Sequence, residues 1–233
     1  MQNSPSDLDL YAKVEDMLGV KEVAPKLYKE YLKILKDIEF NSLVDIGCGS
    51  GDFLALLDQI LPNIKLLGVD KSPLMVQQTK QKGLDATLSL NSITSQFDIA
   101  TATFDMINYL EPTKIKEFFN SLEKIVKKGG YFIFDTNSYF GLSQLAVGNF
   151  IAEDKNRFLA IESFFENNTY SSYFSLFEKS SNCYNKQNAT IYQYYYNKEF
   201  FKSLNNWQLI DSFDISLYDD EKPDKSLYIL KRD

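Results

Sequence analysis

The sequence predicts an α/β fold, with a doubly wound, mainly parallel seven-stranded sheet and an antiparallel β lid inserted after the fifth strand. Two observations support this prediction. Short apolar runs alternate with amphipathic helical segments over the first 136 residues, a pattern typical of a parallel sheet. Half of the aromatic residues, 17 of 34, then fall between Tyr139 and Phe201, in strand-like segments without helical periodicity.

Local signals set the boundaries of the first elements. Ser72 is predicted to be an N-cap and Pro73 the first helical residue. Pro112 is predicted to start a further helix, which the pair Gly129-Gly130 ends. The predicted elements are a helix over 24–38, a strand over 43–46, a helix over 52–61, a strand over 64–70, a helix over 72–83, strands over about 85–90 and 97–103, a helix over 112–128 and a strand over 131–136.

The aromatic part predicts three strands separated by polar turns, and the chain then returns to the main sheet. We therefore expect a cofactor-binding domain over 1–138 and 198–233, with the lid over 139–197. The predicted elements here are strands over 158–166, 170–178 and 189–196, a helix over 196–204, and two last strands over 207–215 and 226–232.

Composition excludes several classes of function. The net charge of −7 argues against broad, charge-driven binding of nucleic acid. The absence of histidine rules out a Ser-His-Asp triad, a histidine metal site and histidine as general base. Cys48 and Cys183 lie far apart, so we expect a reduced, cytoplasmic setting. No segment has the length of a membrane span or the features of a signal peptide, so we expect no membrane partner.

A glycine-rich loop follows the first strand. Gly47, Gly49 and Gly51 alternate with other residues in VDIGCGSG, just before a helix. Glycines let a ligand lie against the backbone, and the helix offers unpaired N–H groups. The loop lacks the Gly-Lys-Ser/Thr ending of a Walker A motif, and its spacing departs from the dinucleotide pattern G-x-G-x-x-G. By itself such a loop can also be an ordinary turn.

Two carboxylates indicate which ligand the loop binds. Asp45 stands directly before the loop, where it would repel a pyrophosphate and attract a cationic or zwitterionic group. Asp70 ends the second strand, and a carboxylate there can accept hydrogen bonds from both hydroxyls of a ribose. A nucleoside with an amino-acid tail offers a cationic amino group to Asp45 and ribose hydroxyls to Asp70, so the expected ligand is S-adenosylmethionine.

With these motifs the sequence resembles the class I S-adenosylmethionine-dependent methyltransferases. Residues 43–51 match the pattern hhDhGxGxG in full, and 68–75 resemble the second motif of the family. Residues 97–110 and 127–140 are similar to a bacterial subgroup with a D-x-x-N-Y-h segment and a β-rich lid. The resemblance implies a Rossmann-like methyltransferase fold, S-adenosylmethionine as cofactor, S-adenosylhomocysteine as product, and no metal.

The resemblance also implies which residues bind the cofactor. Met75 would lie against the adenine, and Asn91 stands where the family often has an acid that reads the adenine amino group, with Ser92 or Ile93 as alternatives. Cys48 is expected to be a small residue that fills the loop. The predicted cofactor-binding residues are Asp45, Gly47, Cys48, Gly49, Gly51, Asp70, Lys71, Met75, Asn91, Ser92 and Thr103.

Residues at the ends of strands four and five are predicted to handle the acceptor. The candidates for a catalytic role are Asp105, Asp135, Asn137 and Tyr139, together with Asn108. The alternative is that these side chains only cap turns and order loops.

The tyrosines leave two interpretations open. Tyr11 and Tyr28 would either close over the methionine tail, as similar tyrosines do in the family, or pack in the core. The stretch 192–196 is either lid packing or an aromatic binding box for a flat ring or a cation.

We therefore expect an enzyme that transfers a methyl group to nitrogen or oxygen of a small-molecule acceptor, as a monomer or homodimer. An amine needs no base during the transfer, whereas a hydroxyl usually does, so the absence of histidine is compatible with this activity. The rival hypotheses are a methyltransferase of RNA or protein, and a non-enzymatic protein that binds the cofactor.

Overall fold

A computed structural model describes residues 3–218 and 221–233. The remaining four residues of the chain, which belong to the predicted cofactor-binding domain, lie outside it. The helices are α1 (Pro5–Val14), α2 (Val20–Leu35), α3 (Asp52–Ile60), α4 (Pro73–Gln81), α5 (Ile115–Ile125) and α6 (Lys198–Lys202). The strands are β1 (Ser42–Ile46), β2 (Lys65–Val69), β3 (Ala86–Thr87), β4 (Phe97–Ala102), β5 (Val126–Asn137), β6 (Gly148–Glu153), β7 (Arg157–Glu166), β8 (Thr169–Ser180), β9 (Cys183–Tyr194), β10 (Trp207–Ile215) and β11 (Lys225–Arg232).

The main sheet has seven strands in the order β10-β11-β5-β4-β1-β2-β3. Strands β1 to β5 pair in parallel, while β11 runs antiparallel to both β5 and β10. The predicted fold class, a doubly wound and mainly parallel sheet, is confirmed. The strand order reverses between β1 and β4, where ligands of such sheets bind.

A separate four-stranded antiparallel sheet, β6 to β9, follows β5 and is called the lid sheet below. The three strands predicted from the aromatic segments are β7, β8 and β9. The sequence does not predict β6, because this edge strand has no alternation of buried and exposed side chains. The domain boundaries at 139 and 197 stay a prediction.

Several predicted boundaries are wrong, each for a local reason. The strand expected over about 85–90 stops at Thr87, where its pairing with β2 ends, and a 3₁₀ turn follows over Leu90–Ser92. α5 begins at Ile115 rather than at Pro112. The lysine-glycine segment expected to end that helix lies within β5 instead. The predicted cap of α4 agrees with the structure, since the Ser72 hydroxyl accepts a hydrogen bond from the Met75 amide.

Two apolar layers cover the faces of the main sheet. On one face, α5 and α6 contribute Phe119 and Phe201, which pack on the rings of Phe132 and Phe134 in β5. On the other face, α2 and α3 bury side chains that include Leu27. Within the described ranges, no helix is long and apolar enough to cross a membrane.

The N-terminal helix α1 packs on the lid sheet. Leu10 is buried in a cluster with Ile161 and Phe174 of that sheet. The Asn3 side chain also donates to the carbonyl of Tyr192 at 3.0 Å and accepts from its amide at 2.8 Å. The N-terminal segment therefore covers the free edge of β9, which would otherwise expose unpaired backbone groups.

Replacement of Leu10 by alanine tests this packing. The Leu10→Ala variant should lose about 2–4 kcal/mol of unfolding free energy, because it leaves a cavity between α1 and the lid sheet. Denaturant unfolding followed by circular dichroism measures the loss. Ser6→Ala, at an exposed position of the same helix, is the matched control. Equal stability of both variants would contradict the packing.

Candidate functional site

The predicted functional residues meet at one edge of the main sheet, where the parallel strands end. Gly47 follows β1, Asp70 follows β2, Asp105 lies three residues beyond β4, and Asn137 ends β5. Since β11 is antiparallel to β5, its first residue, Lys225, pairs with Asn137 at the same edge. The fold thus brings together residues that are up to 178 positions apart in the sequence.

The glycine loop has a backbone that other residues rarely adopt. Gly47 has φ of +73° and Gly49 has φ of +54°. A Cβ at Gly47 would come within 2.4 Å of the Met106 side chain, whereas no atom of the described residues lies within 4 Å of a Cβ at Gly49. The open space above Gly49 fits a ligand that lies directly against the loop.

Asp45 is fully buried at the end of β1, and only one of its carboxyl oxygens has a partner. The Thr101 hydroxyl donates to Oδ1 at 2.7 Å, while Oδ2 has no hydrogen-bond partner among the described residues. Burial raises the pKa of Asp45 to about 7, against the opposing effect of the Thr101 hydrogen bond. A buried acceptor without a partner is costly, so this site fits a cationic donor from a ligand.

Asp70 connects the glycine loop to the start of α4. Its Oδ2 accepts from the Gly49 amide at 2.9 Å, and its Oδ1 accepts from the Ser72 amide at 2.8 Å. Burial raises the pKa of Asp70, and the two backbone hydrogen bonds oppose that rise. Each oxygen can still accept a further hydrogen bond. The carboxylate therefore orders the loop in addition to the predicted ribose contact.

The side chains predicted to fill the cofactor cleft are mostly buried. Met75 and Thr103 are less than a tenth exposed. The Cys48 thiol lies 3.9 Å from the Thr79 hydroxyl, which donates to the Gly49 carbonyl at 3.0 Å. Burial raises the pKa of Cys48, so its thiol is protonated at neutral pH and acts as a small packing group.

Three of the predicted cofactor residues, Lys71, Asn91 and Ser92, are exposed. Lys71 follows Asp70 directly, and Asn91 and Ser92 lie in the 3₁₀ turn beyond β3. The Ser92 hydroxyl already bonds the Ser89 carbonyl at 2.6 Å. The Asn91 side chain is thus the freer of the two to contact a ligand, and its adenine contact stays a prediction.

A buried ion cluster lies at the end of the site where the acceptor is predicted to bind, called the acceptor end below. The Lys225 ammonium lies 2.5 Å from Oδ1 of Asp105, 3.0 Å from Oδ2 of Asp135 and 3.0 Å from the side-chain oxygen of Asn137. Burial opposes the charged amine, but the two carboxylates outweigh it and raise the pKa of Lys225 above its usual range. Asp105, Asp135 and Asn137, three of the residues predicted to handle the acceptor, therefore surround one cation.

The two carboxylates of this cluster differ in access. Asp135 is fully buried, and it also accepts from the Tyr31 hydroxyl at 2.8 Å and from the Asp105 amide at 2.9 Å. The side chain of Asp105 is 14% exposed, and burial raises its pKa although Lys225 opposes the rise. Asp105 is the carboxylate with access to a substrate.

Asp105 lies in a strained turn. Phe104 and Asp105 have φ of +54° and +53°, although neither is a glycine. Such conformations cost on the order of 1–3 kcal/mol and concentrate at functional sites. Here the ion pair with Lys225 and the hydrogen bond from the Asp105 amide to Asp135 hold the turn in place.

The lid sheet is connected to this cluster through amide side chains. Gln193 of β9 donates to Asp105 at 2.5 Å and accepts from Asn137 at 3.3 Å. Asn108 donates to the Tyr194 carbonyl at 2.8 Å and accepts from the Asn137 amide at 2.9 Å. Asn108 thus links strand β5 to the lid sheet, which is a more specific role than the capping of a turn.

Tyr139 lies apart from the cluster. It is half exposed and makes edge-on contacts with Phe165 and Tyr195 of the lid region. Its predicted catalytic role is untested.

The other tyrosines pack against apolar neighbours. Tyr28 contacts Phe53 and Phe104, and Tyr11 contacts Phe174 of the lid sheet. In the aromatic stretch, Tyr196 is buried and bonds the Leu110 carbonyl. These contacts favour the packing interpretation for all three.

Sequence reasoning missed Lys225, Gln193 and the polar role of Tyr31. The periodicity of α2 marks Tyr31 only as a core residue, although its hydroxyl reaches Asp135. A usable signal for Lys225 exists, since it directly precedes the apolar last strand. If that strand is taken as antiparallel, its first residue must lie at the ligand-binding edge.

Comparison with known proteins supports the cofactor half of the site. Residues 43–130 match the family described as methyltransferase domain. A carboxy-S-adenosyl-L-methionine synthase from Campylobacter fetus is 27% identical over 155 residues, which cover 63% of this chain and 61% of that protein. The chain thus spans about two fifths to three fifths of the length of the curated relatives it matches first.

Two crystal structures share the fold. An S-adenosylmethionine-dependent methyltransferase from Clostridium acetobutylicum superposes with a TM-score of 0.77 at 23% identity, over 96% of this chain and 99% of that one. The sugar N-methyltransferase KedS8 from Streptoalloteichus has a TM-score of 0.67 at 15% identity, over 100% and 94%. The family match begins in β1 and includes the glycine loop and Asp70, so residues 43–130 are similar to a methyltransferase domain.

Proposed function

We propose that this protein transfers a methyl group from S-adenosylmethionine to a nitrogen atom of a small-molecule acceptor. The observation that carries the cofactor half is the unpaired, buried Oδ2 of Asp45 beside the open space above Gly49. When bound, S-adenosylmethionine supplies an electrophilic methyl group on a cationic sulfur. Asp45 would accept from its amino group, the glycine loop would lie along its tail, and Asp70 would bind the ribose hydroxyls.

The acceptor end favours nitrogen over oxygen. The cluster of Asp105, Asp135 and Lys225 carries one excess negative charge, which attracts a protonated amine. Asp105 is partly exposed and has a raised pKa, so it can take the proton that such an amine loses before transfer. A hydroxyl is a far weaker acid and would need a stronger base, and the chain has no histidine.

A small acceptor fits the covered position of the site. Gln193 of the lid sheet contacts Asp105 directly, so the lid sheet and the main sheet enclose the cluster between them. The net charge of −7 on the whole chain also disfavours a polyanionic acceptor such as RNA. The shared fold with KedS8, a sugar N-methyltransferase, agrees with a small amine-bearing acceptor.

The relative from Campylobacter fetus suggests a second candidate, a reaction that forms a carboxylated cofactor. Such a reaction would place an additional carboxylate near the methyl position, which requires a cation to pair with it. Lys225 already has three oxygen partners, one for each N–H of its ammonium group. Within the ion cluster, all the hydrogen-bond donors of Lys225 therefore have partners, and none is left for a further carboxylate. We therefore favour simple methyl transfer.

The predicted ribose contact can be tested at Asp70. The Asp70→Ala variant should bind S-adenosylhomocysteine on the order of 10- to 100-fold more weakly, because hydrogen bonds to a carboxylate are lost. Isothermal titration calorimetry measures the affinity, and thermal unfolding checks that the loop still folds. Asp58→Ala, which removes an exposed carboxylate from α3, is the control. Equal affinity of the two variants would remove Asp70 from the site.

Asp45 should make cofactor binding dependent on pH. Its pKa of about 7 means that the free protein holds a proton there at lower pH, and a cationic amino group must displace it. The affinity for S-adenosylhomocysteine should therefore fall by roughly five- to tenfold between about pH 7.5 and about pH 6. Protonation of the ligand amine over this range would act in the opposite direction.

The Asp45→Asn variant is the control for this effect. It should bind more weakly at the higher pH, and its affinity should not fall as the pH is lowered, since the titrating carboxyl is gone. Calorimetry at each pH gives both curves. Identical pH dependence in the two proteins would show that Asp45 does not contact the ligand.

The choice of acceptor atom can be tested with matched compounds. The protein should produce S-adenosylhomocysteine with primary or secondary amines, including amino sugars, about 100-fold faster than with the corresponding alcohols. The reason is that the site has no base strong enough to deprotonate a hydroxyl group. Mass spectrometry of the product identifies the methylated atom. Faster turnover with the alcohols, or with bulk RNA or protein, would contradict the proposal.

A further inference from the structure

We propose that Lys225 is a positioning residue of the acceptor site, which neutralises Asp135 and leaves Asp105 as the carboxylate that meets the acceptor. This inference rests on the proposed function, since it assigns a role within the same site. It names a residue from the last strand of the sheet, outside the part of the chain that matches the methyltransferase family.

The ammonium of Lys225 is fixed in one arrangement. The residue is 3% exposed, and its three N–H groups match three oxygens, on Asp105, Asp135 and Asn137, at 2.5 to 3.0 Å. The register of β11 against β5 places Lys225 opposite Asn137. A lysine at this depth is stable only as one member of a fully bonded cluster, so its position determines where both carboxylates lie.

The carboxylates have unequal access to a substrate. Asp135 is fully buried and its oxygens accept from Tyr31, Lys225 and the Asp105 amide. Asp105 is partly exposed. Among the described residues, its Oδ1 accepts a hydrogen bond from Lys225 and its Oδ2 accepts one from Gln193, which leaves a lone pair on each oxygen for an acceptor. Lys225 thus bridges a buried structural carboxylate and an accessible one.

The groups that face Asp105 make Lys225 decisive for its charge. Asp135 faces it from β5 and raises its pKa, while Lys225 faces it from β11 and lowers it. Tyr11 of α1, Tyr109 and Tyr218 also lie near Asp105, and burial raises the pKa of each, so they are neutral at neutral pH. Without Lys225, two adjacent carboxylates would share one site and would retain a proton between them.

A set of charge-compensating variants tests this role without any acceptor. Titration of the aspartate side-chain carbons by ¹³C NMR, with Asp105 assigned from the Asp105→Asn spectrum, reports the protonation of Asp105. In Lys225→Met the Asp105 carboxyl should titrate about one pH unit or more above its wild-type position. In the double variant Lys225→Met/Asp135→Asn it should return toward the wild-type value, because the repulsion is gone.

A purely structural role for Lys225 makes a different prediction. Loss of packing would not be repaired by Asp135→Asn, so failure of the double variant to restore the titration overturns the inference. An unchanged Asp105 titration in Lys225→Met also overturns it. If Lys225→Met does not fold, Asp135→Asn alone decides the matter, since Asp105 then has the cation to itself and should titrate about one unit lower than in the wild type.

Calorimetry with S-adenosylhomocysteine separates this inference from the proposed function. All these variants should bind the ligand within about twofold of the wild type, because Asp45 and Asp70 hold it elsewhere. Absence of binding to the wild type would reject the proposed function and leave the titration result intact. Loss of binding only in the Lys225 variants would show that the cluster supports the cofactor site, and would reject a role confined to the acceptor.

Discussion

The acceptor end of the site depends on one buried ammonium group. Lys225 joins the last strand, the end of β5 and the strained turn after β4 through three hydrogen bonds. A buried charge is tolerated only when it is paired and hydrogen-bonded, so each partner constrains the others. The turn with positive φ at Phe104 and Asp105, the buried carboxylate of Asp135 and the contact from Gln193 of the lid sheet all meet at this cluster.

The cofactor end of the site has the opposite electrostatic character. Asp45 is buried with one oxygen unpaired, and the protein supplies no cation at hydrogen-bonding distance among its described residues. Its pKa of about 7 records that the carboxylate is incompletely stabilised. Perturbed carboxyls of this kind occur where a ligand completes the site. The two ends thus differ in what satisfies their charge, a side chain of the protein at one and a ligand at the other.

The local structure around the glycine loop was largely predictable because its signals are local. The glycine loop, Asp45 and the cap at Ser72 are set by residues a few positions apart, next to a strand or helix end. The strand over 85–90 was not predictable in its full length, because pairing with β2 rather than local propensity decided that it stops at Thr87. Strand β6 was not predicted for a related reason, since an exposed edge strand has no alternation of buried and exposed side chains.

The sequence by itself determined the alternation of strands and helices, the glycine turn and the acids beside it, because these follow from periodicity and backbone preference over a few residues. Only the tertiary structure decided which distant charges meet. Asp105, Asp135 and Lys225 share a site because an antiparallel last strand brings its first residue to the edge where the parallel strands end. Such a meeting depends on strand order and register, which are properties of the whole sheet and leave little trace in any single segment.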